Sequence, residues 1–571
     1  MAVKRNYSSF AMDNQQNPRF FPVEIGGVAA LFSTLYLLTL SGNYSEAHDA
    51  IIYILDSMSG ASFHPAHLLY NWLNAMWAAF WQMCGFAADR ARCIERLHAL
   101  VGALVVTAFF VIVRKRVGLS FFAAFSAACL PAFSYGLWLY STTLEVIVTP
   151  LFFLLTALYL LTAPRVSAAA CFGIGILHGL AVLFHQMNAF FLLVALDVLL
   201  LQKNRLEISH LRALRLYLTP LTLLVIVPYA AVMLIGHSFQ SWQEALIWLL
   251  NYATETDKYW QGFSLATLAS SCIGATHSFI GGHFLFNLPP IKHVLELNLA
   301  GKELIDNAFL ARHLPIQTIY TLVFLTAAAF ALVLAASILA MTRRRGSLGR
   351  NPPVWRSGLI FLTVFVIFAI IWNPSDAEFW IIPAMLFWLL MAIFWHGDGK
   401  SASRRRAVAL TSLAIAICLA AVNYGGSIRW LTQPENDYYR VKIAPIIDQA
   451  KPGDLTIVRD TWIFDGYIGY FTKSDYIGMT TFYEQKRERA SERLLAAISE
   501  RLAAGQRVFI MADALQGASL ERDAGFAVFQ KEASGNLHER YGKIWRPMTN
   551  EAGTVYILDA AALMPKATPP R

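Results

Sequence analysis

The chain has 571 residues, of which 57% are hydrophobic and only 15% are charged, whereas a water-soluble domain carries about 25% charged residues. This composition excludes a disordered chain, and six cysteines in such a length exclude a disulfide scaffold. The net charge of +9 comes mostly from the hydrophobic part, because residues 425–571 hold 19 basic and 18 acidic side chains; the excess fits the loops of a polytopic membrane protein and does not indicate a nucleic-acid partner.

Eleven apolar stretches are predicted to cross the membrane, whose hydrocarbon core of about 30 Å takes roughly 17–25 helical residues. They are residues 22–40, 98–113, 120–139, 146–163, 167–184, 189–201, 217–236, 316–341, 357–372, 380–396 and 407–424. The sequence therefore predicts an all-α transmembrane domain over residues 1–424, with about 11 transmembrane helices and further juxtamembrane helices.

The basic residues predict the orientation of these spans. They gather in one set of loops, at 114–116, 165, 203–215, 343–356 and 400–406, whereas the opposite short loops (42–63, 140–145, 185–188 and 373–379) contain no Lys or Arg. Loops rich in Lys and Arg face the cytoplasm. We therefore expect a multi-pass protein of the cytoplasmic (inner) membrane, with its N-terminus inside and residues 425–571 outside.

Two long loops are predicted on the outer side, at residues 41–97 and 237–315. The segment 64–86 is apolar enough to span, but a crossing there would move every later basic loop to the outer face. We therefore predict an interfacial or re-entrant helix, with His64, His67, Asn71 and Asn74 in one polar stripe. The segment 263–285 is too polar for a span, so the second outer loop is predicted not to cross.

Residues 41–56, directly after the first span, are predicted to form an amphipathic helix. Glu46, Asp49, Tyr53 and Asp56 would share one face, and Ile51 would lie among apolar residues on another. Such a helix would lie on the outer membrane surface and present its carboxylates at the level of the headgroups. A solvated acidic face without any chemistry explains the same pattern.

Residues 425–571 are predicted to form a soluble extracytoplasmic α/β domain. Short β-branched runs at 455–459, 507–511 and 554–558 predict strands, and the charged segment 483–504 predicts an amphipathic helix. The domain lacks a glycine-rich phosphate loop and a nucleophile elbow. Covering the membrane part or shaping an acceptor site is the role we expect for it.

The order of these features resembles that of the GT-C glycosyltransferases. An acidic residue follows the first span, a proline-containing apolar segment (63–71) comes next, one span ends in Arg114-Lys115-Arg116, and Tyr140 to Glu145 stand at the outer end of another. The chain is similar in this respect to protein O-mannosyltransferases and lipid A aminoarabinose transferases. It departs from them in having Glu46-Ala47-His48-Asp49 in place of an adjacent Asp-Glu pair, and His-Pro-Ala-His at 64–67 in place of Lys-Pro-Pro.

The resemblance implies an inverting transfer of a sugar from a polyprenyl-phosphate donor to a glycan, lipid or protein acceptor at the outer face of the membrane. A carboxylate must take the acceptor proton, and cations or imidazoles must hold the phosphate. Asp49 is the expected base, with Glu46 as the other candidate. The expected phosphate ligands are His64, His67, Lys258, Lys292 and Arg312.

Further outer-face candidates follow from the predicted topology: His48, Tyr53, Glu145, His185, Gln186, Asn188, Asp376 and Glu378. Taken singly, each also fits a loop-solvating or capping residue. The carboxylates among them, together with Glu46 and Asp49, could hold a divalent cation, Mg²⁺ or Mn²⁺, although the sequence does not require a cofactor. The alternative function is a transporter or flippase of lipid-linked sugars; ionisable groups gathered at one face rather than at the membrane midplane favour the enzyme.

Overall fold

The computed structural model describes residues 21–59, 63–86, 89–236, 239–250, 259–298, 305–343, 352–396, 402–459, 462–515 and 524–559. The chain divides into two compact units, each assembled from separate segments. The first unit comprises residues 1–40, 62–282 and 317–428, and the second comprises residues 41–61, 283–316 and 429–571. The second unit thus joins the predicted α/β domain to parts of both predicted outer loops.

The helices of the described residues, in chain order, are α1 (Phe21–Leu38), α2 (Asp49–Ser59), α3 (Tyr70–Met83), α4 (Arg90–Val111), α5 (Phe121–Ala132), α6 (Tyr135–Thr142), α7 (Val148–Leu161), α8 (Ala168–Phe184), α9 (Phe191–Leu196), α10 (His210–Ala231), α11 (Trp242–Leu250), α12 (Leu265–Phe279), α13 (Pro289–Asn298), α14 (Ile305–Leu310), α15 (Ile316–Arg343), α16 (Pro352–Ile371), α17 (Ile381–His396), α18 (Ala402–Asn423), α19 (Arg429–Leu431), α20 (Tyr438–Ile447), α21 (Trp462–Phe471), α22 (Met479–Lys486), α23 (Ala490–Ala503), α24 (Ala512–Leu515) and α25 (Ala524–Tyr541). The strands are β1 (Leu455–Val458), β2 (Asp475–Gly478), β3 (Val508–Met511), β4 (Arg546–Asn550) and β5 (Gly553–Leu558).

Helices long and apolar enough to cross a membrane dominate the first unit. Within the described residues, seven helical stretches meet this test, and α5 with α6, bent by 73°, adds an eighth if the pair is one span. The seven are Phe21–Leu38, Arg90–Arg116, His210–Ile235, Ile316–Thr342, Pro353–Ile371, Ala377–His396 and Ala402–Leu431. The other predicted spans correspond to the shorter apolar helices Val148–Leu161, Ala168–Phe184 and Gln186–Leu201. The protein is therefore a multi-pass membrane protein.

Polar side chains inside these helices are paired with one another. Glu24 accepts hydrogen bonds of 3.0 and 3.3 Å from Arg114. Asp197, at the end of α9, accepts bonds of 3.0 and 3.1 Å from Arg356 of α16. Charged groups in a membrane are expensive unless they are paired, so these two pairs join helices.

The segment predicted as an interfacial helix differs in detail from the structure. α3 begins only at Tyr70, and residues 64–69 form turns, so the predicted helical stripe that includes His64 and His67 is wrong. Backbone hydrogen bonds to the end of α8 and beyond hold these turns: Leu69 N donates to Leu183 O at 3.0 Å, and Gln186 N donates to Ala66 O at 2.8 Å. α3 is not among the candidate spans, and neither is any described helix of residues 237–315.

The second unit contains a five-stranded sheet in the order β2-β1-β3-β5-β4. β1 pairs in parallel with β2 and β3, and β5 pairs antiparallel with β3 and β4. Buried residues of β1 and β3, such as Ile457 and Ile510, pack with Leu494 and Ile498 of α23. β2 and β4, which are partly exposed, were not predicted. The single helix predicted over 483–504 is wrong, because residues 487–489 interrupt it between α22 and α23, and Arg489 has a left-handed φ of 56°.

The first outer loop also differs from its prediction. α2 begins at Asp49 and not at residue 41, because side chains of the preceding residues bond to local backbone, as where Asn43 accepts from Ser45 N at 2.8 Å. Much of the apolar face of α2 packs against protein. Ile51 and Ile54 are buried, and a Cβ on Gly466 of α21 would stand 3.0 Å from Ile51. A helix of the C-terminal segment therefore covers this face.

Candidate functional site

Glu46 and His283 form a buried pair within the second unit. Their side chains are 5% and 0% exposed, and the Glu46 Oε2 and His283 Nε2 atoms lie 3.0 Å apart, the separation of a hydrogen bond. Glu46 precedes α2, and His283 opens a short helical turn, His283–Asn287. This pair therefore connects the first predicted outer loop to the second.

His48 makes a second connection between the same two loops. Its Nε2 lies 3.6 Å from Oδ2 of Asp306, an acidic residue in the first turn of α14. The same carboxylate oxygen accepts a hydrogen bond of 3.2 Å from the Tyr439 hydroxyl of α20. The other oxygen accepts from Asn307 N at 2.9 Å. Three separate segments of the chain thus meet at the Asp306 carboxylate.

The two partners of this contact shift each other's pKa in opposite directions. Burial lowers the pKa of the His48 imidazole, but the Asp306 carboxylate, with the charges of Glu46 and Asp49, outweighs burial and raises the pKa above its ordinary value. Burial likewise raises the pKa of the Asp306 carboxyl, but His48 and Asn307 outweigh it and leave the pKa below its ordinary value. Each partner of the contact therefore favours the charged form of the other.

Asp49 occupies the first position of α2, where the helix dipole favours a carboxylate. It is half-buried, and its Oδ2 accepts a long hydrogen bond of 3.5 Å from Tyr53, one turn further along. Tyr53 itself is only 5% exposed. Glu46 and Asp49 do not share a helical face as predicted, because the helix starts between them.

Asp437 fixes the backbone that carries these residues. It is fully buried and caps α20 by accepting from Arg440 N at 3.0 Å. It also accepts from Tyr44 N at 3.0 Å and from the Tyr467 hydroxyl at 2.7 Å. Burial raises the pKa of its carboxyl despite these hydrogen bonds. The position of residues 43–49 therefore depends on a carboxylate of the C-terminal segment.

The predicted basic ligands have different surroundings. Arg312 is bound to Glu551 by two hydrogen bonds, one of them 3.1 Å long, and donates to Asn436 at 3.0 Å. Lys292 is exposed on α13. Lys258 lies outside the described residues. The role of these three residues as phosphate ligands stays a prediction. In this structure the guanidinium of Arg312 donates its hydrogen bonds to protein groups.

The first unit holds a cluster of three histidines. The rings of His64 and His67 stack with centroids 4.2 Å apart, and His185 caps the short helical turn Gln186–Phe190 through its Nδ1, which accepts from Met187 N at 3.2 Å. Burial lowers the pKa of His64 and of His185 to about 4. Burial, with the neighbouring imidazoles, takes the pKa of His67 well below its ordinary value. The three rings are therefore neutral at pH 7.

Gln186 and Asn188 hold the turn that follows this cluster. The Gln186 amide donates to Leu249 O at 2.9 Å. Asn188 is fully buried and donates to Ala181 O at 3.1 Å and to His185 O at 2.9 Å. Both amides therefore bond to backbone, and their position beside the histidines comes from the fold of this turn.

The remaining predicted carboxylates also lie in the first unit. Glu145 is 3% exposed, and its Oε2 accepts from Val146 N at 3.3 Å. Asp376 caps the short helix Ala377–Trp380 by accepting from Glu378 N at 3.0 Å, and it accepts from Asn373 at 3.2 Å. These contacts give Asp376 the capping role that sequence reasoning weighed for it. The divalent cation stays a prediction.

Sequence reasoning did not name His283, Asp306 and Tyr439. His283 and Asp306 stand more than two hundred residues after the acidic loop, and no spacing rule connects such distant positions. One signal was available. His283 and Asp306 lie in the second predicted outer loop, from which only basic residues were named as candidates, although an acid or an imidazole there could also contribute to a catalytic site.

Among known proteins, similarity to the chain is found in solved structures. No family model matches the chain, and no curated protein matches it. The ArnT structure of Cupriavidus metallidurans in its apo state is 13% identical, with a TM-score of 0.41 over 96% of this chain and 99% of that one. The same protein bound to undecaprenyl phosphate gives 13% identity and a TM-score of 0.39 over 96% and 100%.

An oligosaccharyltransferase of Archaeoglobus fulgidus, solved in a complex with Zn and sulfate, is 15% identical, with a TM-score of 0.49 over 93% of this chain and 72% of that one. At these identities and TM-scores the likeness assigns no residue, substrate or metal to this chain.

Proposed function

We propose that the protein is an integral membrane glycosyltransferase of the GT-C type. It transfers a sugar from a polyprenyl-phosphate donor to a glycan, lipid or protein acceptor outside the cytoplasm. The observation that carries the proposal is the arrangement of the acidic loop: Glu46 lies beside His283 and His48 beside Asp306, and Asp49 stands as a half-buried carboxylate at the first position of α2.

Asp49 is the proposed general base. Glu46, the other candidate, has a side chain that is only 5% exposed and lies 3.0 Å from His283 Nε2, so it is less accessible to an acceptor. In the proposed step the acceptor hydroxyl oxygen forms a bond to the anomeric carbon from the face opposite the phosphate. The bond between that carbon and the phosphate oxygen breaks, its electron pair leaves with the polyprenyl phosphate, and the acceptor proton passes to Asp49. The sugar configuration inverts.

The leaving group is already a stable phosphate anion, so the reaction needs hydrogen-bond donors for the phosphate more than it needs an acid. We assign this role to the imidazoles of His64 and His67. Burial keeps them neutral, so each binds the phosphate through a ring N–H and not through a full charge. The proposal implies that His67→Ala raises the KM for the donor more than it lowers kcat.

The test uses the purified full-length protein in nanodiscs with a panel of undecaprenyl-phosphate-linked hexoses and pentoses. Release of undecaprenyl phosphate is measured, because a glycosyltransferase produces it and a flippase of intact donor does not. Asp49→Asn should lower kcat by about 10²–10⁴-fold, whereas Asp56→Asn, on the same helix, should leave kcat near that of the wild type. Full turnover in Asp49→Asn would contradict the assigned base, and donor transfer across the bilayer without release would favour the transporter.

The orientation is a separate proposal, supported by the distribution of basic loops. We infer that residues 425–571 lie outside the cytoplasmic membrane. Single cysteines at residue 115 and in the exposed turn at Glu551, placed in a variant without native cysteines, test it. The Glu551 position should react with an impermeant maleimide in intact cells, and residue 115 should react only after permeabilisation. The reverse pattern would contradict the inferred topology.

A further inference from the structure

The histidine cluster of the first unit stands on two turns that are hydrogen-bonded to each other. Gln186 N, in one turn, donates to Ala66 O, in the other, at 2.8 Å. The neighbouring carbonyl of Pro65 accepts a bond of 2.6 Å from the buried hydroxyl of Tyr229. The backbone below the imidazoles is therefore held from two sides, which is the support that a binding site needs.

Two imidazoles of the cluster accept a backbone hydrogen bond at the ring nitrogen Nδ1. Ala66 N donates to His64 Nδ1 at 3.3 Å, and Met187 N donates to His185 Nδ1 at 3.2 Å. A ring nitrogen that accepts a hydrogen bond carries no proton, so the proton of such an imidazole is on Nε2. Both turns therefore produce the same neutral tautomer, with an Nε2–H donor at the far end of the ring.

The surroundings of the cluster offer hydrogen-bond donors without a formal charge. The ring of His64 stacks on that of His67 with centroids 4.2 Å apart, which fixes the plane of its Nε2–H bond. Burial lowers the pKa of His64 and of His185 to about 4, in agreement with the neutral tautomers. Residues 63–86 and 183–188 contain no Lys, Arg, Asp or Glu. An anion bound by these segments would therefore be held by N–H groups alone.

We propose that His185 is a further ligand of the donor phosphate, and that His185 and His64 bind the phosphate oxygens through their Nε2–H groups. This inference rests on the proposed glycosyltransferase function, which assigns the phosphate to His64 and His67 and gives His185 no role. The phosphate gains negative charge as its bond to the sugar breaks. N–H donors that are already oriented toward its oxygens stabilise this charge without any rearrangement.

The experiment separates the two ring nitrogens of His185, using the purified full-length protein in nanodiscs and undecaprenyl phosphate as the ligand. In His185→Asn the shorter side chain can still accept from Met187 N, because Asn is a good cap, but nothing replaces the Nε2–H donor. The affinity should fall about ten- to hundredfold, the effect of one hydrogen bond to a charged group, with an unchanged melting temperature. His185→Gln keeps an N–H at the far position and loses the cap, so it should bind nearly as tightly as wild type and melt at a lower temperature.

Three controls identify what the site recognises. Undecaprenol lacks the phosphate, so its binding should be equal in His185→Asn and in wild type. Binding of undecaprenyl phosphate should change little with salt concentration, because neutral donors are screened less than charged ones. His210→Asn changes an imidazole whose Nδ1 bonds to Leu199 O, outside the two turns, and it should bind undecaprenyl phosphate as wild type does.

The possible outcomes distinguish this inference from the proposed function. His185→Asn protein that binds undecaprenyl phosphate as tightly as wild type would reduce His185 to a cap and overturn the inference, while the glycosyltransferase stands. Equal losses for undecaprenyl phosphate and undecaprenol would also overturn it, and so would ready displacement by millimolar inorganic phosphate, which would indicate a site for free phosphate. The expected loss of affinity, in a protein that releases undecaprenyl phosphate from no donor, would support the phosphate site and remove the proposed reaction.

Discussion

Replacing Asp437 tests how far the acidic loop depends on the C-terminal segment. In Asp437→Ala three donors lose their acceptor: the Arg440 backbone N–H, the Tyr44 backbone N–H and the Tyr467 hydroxyl. Tyr44 and Tyr467 are 5% and 0% exposed, so water cannot readily replace the carboxylate.

The expected cost follows from these three contacts. Loss of the helix cap costs about 1 kcal/mol, and each buried donor left without an acceptor costs about 1–3 kcal/mol. The sum is about 3–7 kcal/mol. For a compact unit of the size of the second one, this loss lowers the melting temperature by roughly 10 °C or more. Asp437→Asn should cost about 1–2 kcal/mol, because the amide oxygen still accepts and the buried charge, whose cost is reflected in the raised pKa, is gone.

The assay has a global and a local component. Thermal unfolding in detergent reports the change in stability, and hydrogen exchange with mass spectrometry reports residues 41–49, whose anchor is the Tyr44 N–H. Exchange of that peptide should accelerate in Asp437→Ala. Asp448→Ala, at the exposed end of the same helix, is the control and should behave as wild type. A melting temperature and exchange rate in Asp437→Ala equal to those of Asp448→Ala would refute the reasoning.

Three further predictions concern other contacts. Arg356→Ala should lower the detergent melting midpoint by an amount equivalent to about 1 kcal/mol, because Asp197, 7% exposed, loses its cation while Arg356 is itself 50% exposed and Gln202 still donates to Asp197; an unchanged midpoint would show that the pair contributes nothing. Arg312 lowers the pKa of Glu551, so this contact contributes stability above the ordinary Glu pKa of 4.5 and loses it as pH falls through the lowered value. Glu551→Gln should flatten that acid dependence by less than about 1 kcal/mol, since the side chain is 46% exposed, and equal acid slopes in denaturant titrations would contradict it. Gly466→Val should destabilise the packing of α2 on α21 by about 1–3 kcal/mol through overpacking, measured as faster exchange of α2; exchange at the wild-type rate would refute the close approach.

The C-terminal segment helps to hold the acidic loop in place. Asp437 anchors the backbone before α2, Tyr439 fixes Asp306, and α21 buries the apolar face of α2. Truncation after the membrane part would therefore disturb the acidic loop itself. The predicted role of shaping an acceptor site stays a prediction.

The sequence by itself determined the class of the protein. A long apolar stretch satisfies its backbone hydrogen bonds within its own helix, so the position of such a helix is a local property of the sequence. Each predicted span coincides with helical residues in the structure, although the span predicted at 120–139 is the bent pair α5 and α6. The central strands β1, β3 and β5 were predictable for a similar reason, because their β-branched runs are continuous. The candidate residues Glu46 and Asp49 were also found from local composition alone.

Tertiary structure alone decided what these residues touch. The backbone before α2 is held in part by Asp437, nearly four hundred residues away, which accepts from Tyr44 N, and the partners of Glu46 and His48 come from a different loop. Helical periodicity over residues 41–56 placed Glu46 and Asp49 on one face because it cannot register a hydrogen bond from a distant segment. Such contacts are set by which segments pack together, and that is a property of the whole chain and not of any window of it.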